Sequence, residues 1–204
     1  MWNKTQKKII DHRAQRAQSL KEELMPPPLI FLCALYVLCG QILSQPMNPT
    51  LNVVLVEPEI PPNTGNVARL CLAVGARLHL VGPLGFSLDE KALRRAGMDY
   101  WKECDVRLWD SFESLRSEAG EGTRFWFFTT KANRGLWEGR FQKGDWLVFG
   151  RESKGLPESL LHANAESCLR IPMRSEARSL NLATSVGIGV FEALRQASGS
   201  AEIF

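Results

Sequence analysis

From residue 51 onward, short apolar runs alternate with amphipathic stretches. Leu51 to Glu57 reads Leu-Asn-Val-Val-Leu-Val-Glu, a β-branched run of strand length. Over 64–75, Val67, Leu70, Cys71 and Val74 recur at helical spacing and predict a helix with one apolar face. Asn63 or Thr64 is its candidate cap. Residues 77–82 predict a second strand, ending at Gly82-Pro83. Residues 89–95 predict a short basic helix and 104–109 a third strand. A helix over 110–119 has Asp110-Ser111 as its cap. Strands follow at 124–129 and 145–149, then a helix at 157–163, a strand at 167–171 and a long final helix at 179–197. Strands alternating with helices in this way predict an α/β domain, a mostly parallel sheet with flanking helices.

Residues 1–50 break the pattern. Residues 3–24 read as a polar, charged helix with no clear apolar stripe, stopped by Pro26-Pro27-Pro28. Leu29 to Leu43 is apolar apart from Gly40 and Gln41. That stretch is shorter than the roughly 20 residues a membrane span needs. As a secretion signal it has too long a polar lead and no small-x-small cleavage site. Three readings stand open: a disordered extension or gene-start artefact with translation from Met47, a membrane anchor, and a secretion signal. The first is taken as the expectation. Residues 1–46 are then an N-terminal extension and 47–204 the folded domain, with no membrane role for that domain.

Charge sharpens this division. Six of the 25 Lys and Arg and three of the 22 acids fall in residues 1–24, and residues 25–50 carry none. Residues 51–204 therefore hold 19 groups of each sign. The folded part is not a broadly basic nucleic-acid binder, so polyanion contacts must come from local clusters. The five cysteines include no CxxC pair, and with only three histidines no zinc spacing can be assembled. Free buried thiols in a reducing cytosol are the plain reading, which implies a cytoplasmic protein without a metal site.

Three segments carry candidate chemistry. Pro61-Pro-Asn-Thr-Gly-Asn-Val-Ala-Arg69 lies between the first strand and the first helix, where open α/β sheets bind ligands. Leu147-Val-Phe-Gly-Arg-Glu-Ser-Lys-Gly-Leu-Pro157 runs an apolar strand into Gly150, where a flat ligand can approach the backbone. Gly155 is placed for a positive φ and Pro157 for a helix start. Leu169 to Ser185 carries a strand end at Ile171-Pro172, a polar loop, and Ser179-x-Asn181 opening the last helix. Each alone also reads as an ordinary capped helix or turn. Three polar strand ends together favour one ligand site. Gly187-x-Gly189 lacks a third glycine and follows no strand, so it reads as helix packing.

At these residues the chain resembles the SPOUT methyltransferase superfamily, whose three motifs match in order and position. More narrowly it resembles the TrmL-type branch, which 2′-O-methylates the wobble nucleotide of certain leucine tRNAs. The supporting strings are Glu57-Pro-Glu-Ile-Pro-Pro-Asn-Thr-Gly-Asn66, Leu93-Arg-Arg-Ala-Gly-Met-Asp-Tyr100, Thr129-Thr-Lys131, Phe149-Gly150 with Gly155-Leu-Pro157, and Ile171-Pro-Met173 with Arg178-Ser-Leu-Asn-Leu182. The likeness covers about residues 50–197. It implies a C-terminal trefoil knot, a homodimer, S-adenosyl-L-methionine as cofactor and tRNA as partner. It assigns Arg69, Asn63, Glu152 and Asn181 to catalysis and Phe128, Gly150, Ile171 and Ser179 to the cofactor. Phe191 stands where this branch often has a tyrosine, so a hydroxyl contact there is missing.

The implied reaction moves a methyl group from a sulfonium to a ribose 2′-hydroxyl. Arginine is an odd base, with a pKa above ~12. Arg69 is therefore expected to orient the hydroxyl and a nearby phosphate, and Glu152 to hold Arg69. Candidate tRNA contacts are Lys91, Arg94, Arg95, Arg151, Lys154, Arg174 and Arg178. The rivals are methylation of another tRNA or rRNA position, and an RNA-binding module without catalysis.

Overall fold

A computed structural model describes residues 49–89 and 99–197. The N-terminal extension, the polar helix expected at 3–24 and nearly all of the basic helix expected at 89–95 lie outside these residues, as do Cys33 and Cys39.

Six strands form one sheet: β1 (Asn52–Val56), β2 (Arg77–Val81), β3 (Val106–Trp109), β4 (Phe125–Phe128), β5 (Trp146–Phe149) and β6 (Cys168–Leu169). Their spatial order is β3-β2-β1-β5-β4-β6. Every pairing is parallel, with Leu55 opposite both Leu80 and Phe149, and Phe128 opposite both Phe149 and Leu169. Parallel strands need crossovers, and the crossovers place helices on both faces. The central β1 is buried along its whole length for that reason.

Four helices make the covering layers: α1 (Pro61–Val74), α2 (Phe112–Ala119), α3 (Glu158–Ala163) and α4 (Leu182–Ala197). On one face, Val67, Cys71 and Val74 of α1 join Val186, Val190 and Leu194 of α4 over Val53, Leu55, Leu78, Leu147 and Phe149. On the other, Phe112 and Leu115 of α2 and Leu161 of α3 cover Val54, Val81, Phe127 and Val148. Burying each such side chain is worth about 1.5–3 kcal/mol. Cys71 and Cys168 are buried free thiols and Cys104 is a half-buried one. Among the described residues no helix is long and apolar enough to cross a membrane.

Two helix starts differ from the sequence expectation. α1 begins at Pro61, three residues early, because two prolines fill positions whose missing N–H costs nothing. Its cap is Ile60, which offers no side-chain bond, rather than Asn63 or Thr64, and both of those are buried inside the helix. α4 begins at Leu182 rather than 179, and of the Ser179-x-Asn181 pair it is Asn181 that caps it, Oδ1 accepting from the Thr184 N–H at 3.3 Å. Ser111 caps α2 as expected, and Gly155 has φ +70°.

Candidate active site

β1 sits between β2 and β5. Its connection through α1 leads to β2, whereas the connection from β5 through α3 leads out to β6. Neighbouring strands whose exits diverge leave a crevice at their carboxyl ends, where ligands of open α/β sheets bind. The loops after β1, β4, β5 and β6 line a cleft of about 630 Å3 at this end.

Three side chains from the three motif segments meet there. Asn63 donates from Nδ2 to Glu152 Oε1 at 2.9 Å and accepts at Oδ1 from Asn181 Nδ2, also at 2.9 Å. The polarity of this relay is forced from both ends. An ionised carboxylate only accepts, so Asn63 must turn its amide nitrogen to Glu152. Its oxygen is then left for Asn181, whose own oxygen faces the α4 N–H of Thr184. Glu152 also accepts from the backbone N–H of Glu59 at 2.9 Å and Ile60 at 3.3 Å. It thus supplies, from 92 residues away in sequence, the negative charge that a helix start favours. This explains why α1 needs no local cap.

The same two loops are stitched again beside the relay. Glu59 accepts from the Ser153 hydroxyl at 2.8 Å and from its N–H at 3.0 Å. Those bonds, the Ser153 hydroxyl first, hold the Glu59 carboxyl below the ordinary carboxylate range. Glu57 leaves β1 with φ +51°, a conformation that costs a non-glycine residue about 1–2 kcal/mol. Its carboxylate pairs with Arg151 at 2.8 Å, and its N–H donates to Val81 O at 2.8 Å.

The cleft walls combine apolar and polar groups: Leu156, Ile171 and Leu180 against Thr129, Ser179 and Asn181. Its floor includes Phe128 and Phe149, stacked with centroids 4.4 Å apart. Gly189 of α4 lies under that stack, where an added Cβ would come 2.9 Å from the Phe128 ring tip. The glycine expected to serve helix packing therefore also sets the depth of the floor. At Gly150 a Cβ would sit 2.1 Å from the Gly155 backbone carbon, so only glycine lets the 151–155 loop fold back on the strand end.

Of the expected site residues, Asn63, Phe128, Gly150, Glu152, Ile171, Ser179 and Asn181 all line this one cleft, with Arg151, Lys154 and Arg178 at its polar side. Arg69 is exposed on α1 and does not line it. The expected Glu152–Arg69 contact is replaced by the bonds from Glu152 to Asn63 and to the start of α1. Arg174 is exposed on the loop before α4 and lies outside the cleft lining. Lys91, Arg94 and Arg95 lie outside the described residues. Sequence reading missed Glu59, Ser153 and Lys131. Their signals were the acidic Glu57-Pro-Glu59 exit from β1, the place of Ser153 in the 147–157 segment, and Thr129-Thr-Lys131 beyond β4. Lys131 lines the cleft and pairs with Glu158 at the start of α3.

Comparison with known proteins adds independent information. Residues 50–191 match the model of the SpoU rRNA methylase family. A tRNA (cytidine(34)-2′-O)-methyltransferase of Burkholderia pseudomallei is 51% identical over 150 residues, covering 72% of this chain and 95% of the relative. A solved structure from work on 2-OH methylation of C/U34 on tRNA is 48% identical, with TM-score 0.68, covering 73% of this chain and 97% of that one. An AdoMet-bound rRNA methyltransferase from Sinorhizobium meliloti is 27% identical, with TM-score 0.63, covering 74% of this chain and 58% of that one.

Proposed function

The chain belongs to the SpoU rRNA methylase family, and on that footing we propose that it is an S-adenosylmethionine-dependent ribose 2′-O-methyltransferase acting on the wobble nucleotide of tRNA. Leucine tRNAs are the proposed substrates and the cytoplasm the proposed compartment. The observation that carries the reading is the Glu152–Asn63–Asn181 relay, which ties all three motif segments around one cleft.

The residues present fit the cofactor. The cleft volume lies in the range of small-molecule sites, with apolar walls for a flat base and few polar groups for orientation. Ile171, Leu180 and Leu156 would flank the adenine, and backbone groups near Gly150 and Ser179 would read its edge. When bound, the cofactor supplies a methyl group already activated on a sulfonium sulfur.

The protein's task is then to hold the ribose hydroxyl in line and let its proton leave. Asn63 and Asn181 are fixed by the relay and hold the cleft wall rigid. Arg151, Lys154 and Arg178 offer cations to the RNA backbone at the cleft mouth. Arg69 is proposed to orient the hydroxyl and a phosphate. Its place on the exposed face of α1, one turn from Leu72, suits a cleft completed by a second subunit. Leu72, Ile188 and Phe191 are 40%, 37% and 55% exposed and offer an apolar face for that homodimer. The trefoil crossing of the C-terminal strands belongs to the same proposal. Methyl transfer from labelled cofactor to tRNA, with rRNA and DNA as competing acceptors, tests the reading. Transfer to rRNA alone would support the rival substrate, and RNA binding without transfer the non-catalytic module.

A further inference from the structure

Trp137 is 61% exposed, more than any other large hydrophobic side chain among the described residues. The turn that displays it is tied to the fold on both sides of the ring. Leu136 before it is buried in the core, and its N–H donates to Arg170 O at 2.9 Å. Glu138 after it accepts from the Gly135 N–H at 2.6 Å. Gly139 presses so closely on Phe141 and Leu169 that a Cβ would lie 2.8–2.9 Å from their side chains. A tryptophan held out in water on such a turn belongs to neither core.

Its position gives it a use. Gly135 runs parallel to Arg170 just beyond the end of β6, and the next residue, Ile171, is a wall of the cleft. Trp137 therefore stands outside the β6 edge at the same end of the sheet as the cleft. The neighbouring surface carries charges of both signs, with Glu138 and Glu166 exposed as well. Arg140 and Arg170 are exposed, whereas Arg134 is spent on Glu166 O and Glu138 O. An exposed aromatic side chain with one arginine three residues on and another on the strand end its turn is bonded to matches the platforms on which unpaired RNA bases stack.

We propose that Trp137 stacks on an unpaired base of the RNA substrate next to the nucleotide being methylated, with Arg140 and Arg170 meeting its phosphates. This rests on the RNA methyltransferase reading above. A nucleotide whose ribose enters a cleft is splayed from its neighbours, and an exposed ring beside the cleft recovers the stacking one neighbour loses.

The test uses the full chain, whose methyl transfer to tRNA is measured first. Trp137→Ala should raise KM for tRNA about tenfold, the scale of one base–aromatic stack. Its cofactor affinity and its kcat at saturating tRNA should stay at wild-type values, and Trp137→Phe should recover most of the loss. In protein labelled with 5-fluorotryptophan, the fluorine resonance absent from Trp137→Phe should shift on adding tRNA and stay put on adding cofactor alone. This second measurement needs no stable alanine variant. An unchanged KM with an unmoved resonance overturns the proposal while leaving the methyltransferase reading intact. A change of oligomeric state in Trp137→Ala would assign the surface to a subunit contact and overturn it too. If the wild-type chain transfers no methyl group to any RNA, both readings fall.

Discussion

Asn63 and Asn181 lie 118 residues apart in the chain and share a 2.9 Å hydrogen bond at the mouth of the cleft. Asn63 is almost wholly buried and Asn181 caps the last helix, so the bond joins the starts of α1 and α4. With Glu152 on the other side of Asn63, no member of the trio can change its hydrogen-bonding sense alone.

Asn63→Asp should therefore be more damaging than Asn63→Ala. Aspartate would set a buried carboxylate against that of Glu152, with no donor to offer it. The loss at neutral pH should be on the order of 3 kcal/mol, the scale of an uncompensated buried charge. The repulsion raises the carboxyl pKa in the folded state above its unfolded value. The penalty should then shrink as pH falls, because the native state gains the proton more readily. Urea denaturation at several pH values reads this. A larger loss in Asn63→Ala would mean that the relay's polarity does not matter.

His79 gives a pH dependence away from the cleft. It is 2% exposed, bonded to Asn52 Oδ1 at 3.1 Å and accepting from Trp109 Nε1 at 3.0 Å. Burial, and to a lesser degree Arg77, pushes its pKa down to about 3 from 6.5. Above pH 6.5 both states are neutral there and the residue adds no slope. Below it the unfolded chain takes up a proton that the folded one refuses, so stability should fall by up to about 1.4 kcal/mol per pH unit. His79→Gln should lose that slope between pH 6.5 and 5. An unchanged slope would place the acid sensitivity in another group.

Gly189→Ala tests the cleft floor. The added methyl meets the tips of the Phe128 and Phe149 rings at 2.9–3.2 Å, and rings can yield where backbone cannot. The fold should survive with a loss of about 1–3 kcal/mol from overpacking. Displacing Phe128 should weaken S-adenosylmethionine binding about tenfold by calorimetry, on the order of 1.4 kcal/mol. Unaltered affinity would mean that the Phe128 position does not shape the cofactor site.

Arg69→Ala should abolish methyl transfer while leaving calorimetric cofactor affinity intact, since Arg69 lies outside its own chain's cleft lining. Full activity would remove it from catalysis.

The sequence disclosed the sheet and the cleft to different depths. Strand runs and polar strand ends are local features, so Gly150, Ile171 and Asn181 could be placed at a ligand edge from spacing. The relay is not local. Nothing near Asn63 says that its partners sit 89 and 118 residues away. The same distance explains the misplaced start of α1: a helix capped by Glu152 from another loop shows no Ser or Asp at its own head, and two prolines hide it further. Arg69 was expected at Glu152 because both belong to motif segments, yet the folded chain gives Glu152 three nearer donors. Trp137 drew no notice because an exposed tryptophan and a core tryptophan read alike in a sequence.

Methyl transfer with labelled S-adenosylmethionine and total tRNA, from a strain lacking its own wobble-nucleotide enzyme, followed by mass-spectrometric mapping, tests the function most directly. The expected product is a 2′-O-methylated ribose at nucleotide 34 of leucine tRNAs, absent with Arg69→Ala. A methyl group on a base, at another position or in rRNA alone, or no transfer to any RNA, would contradict it.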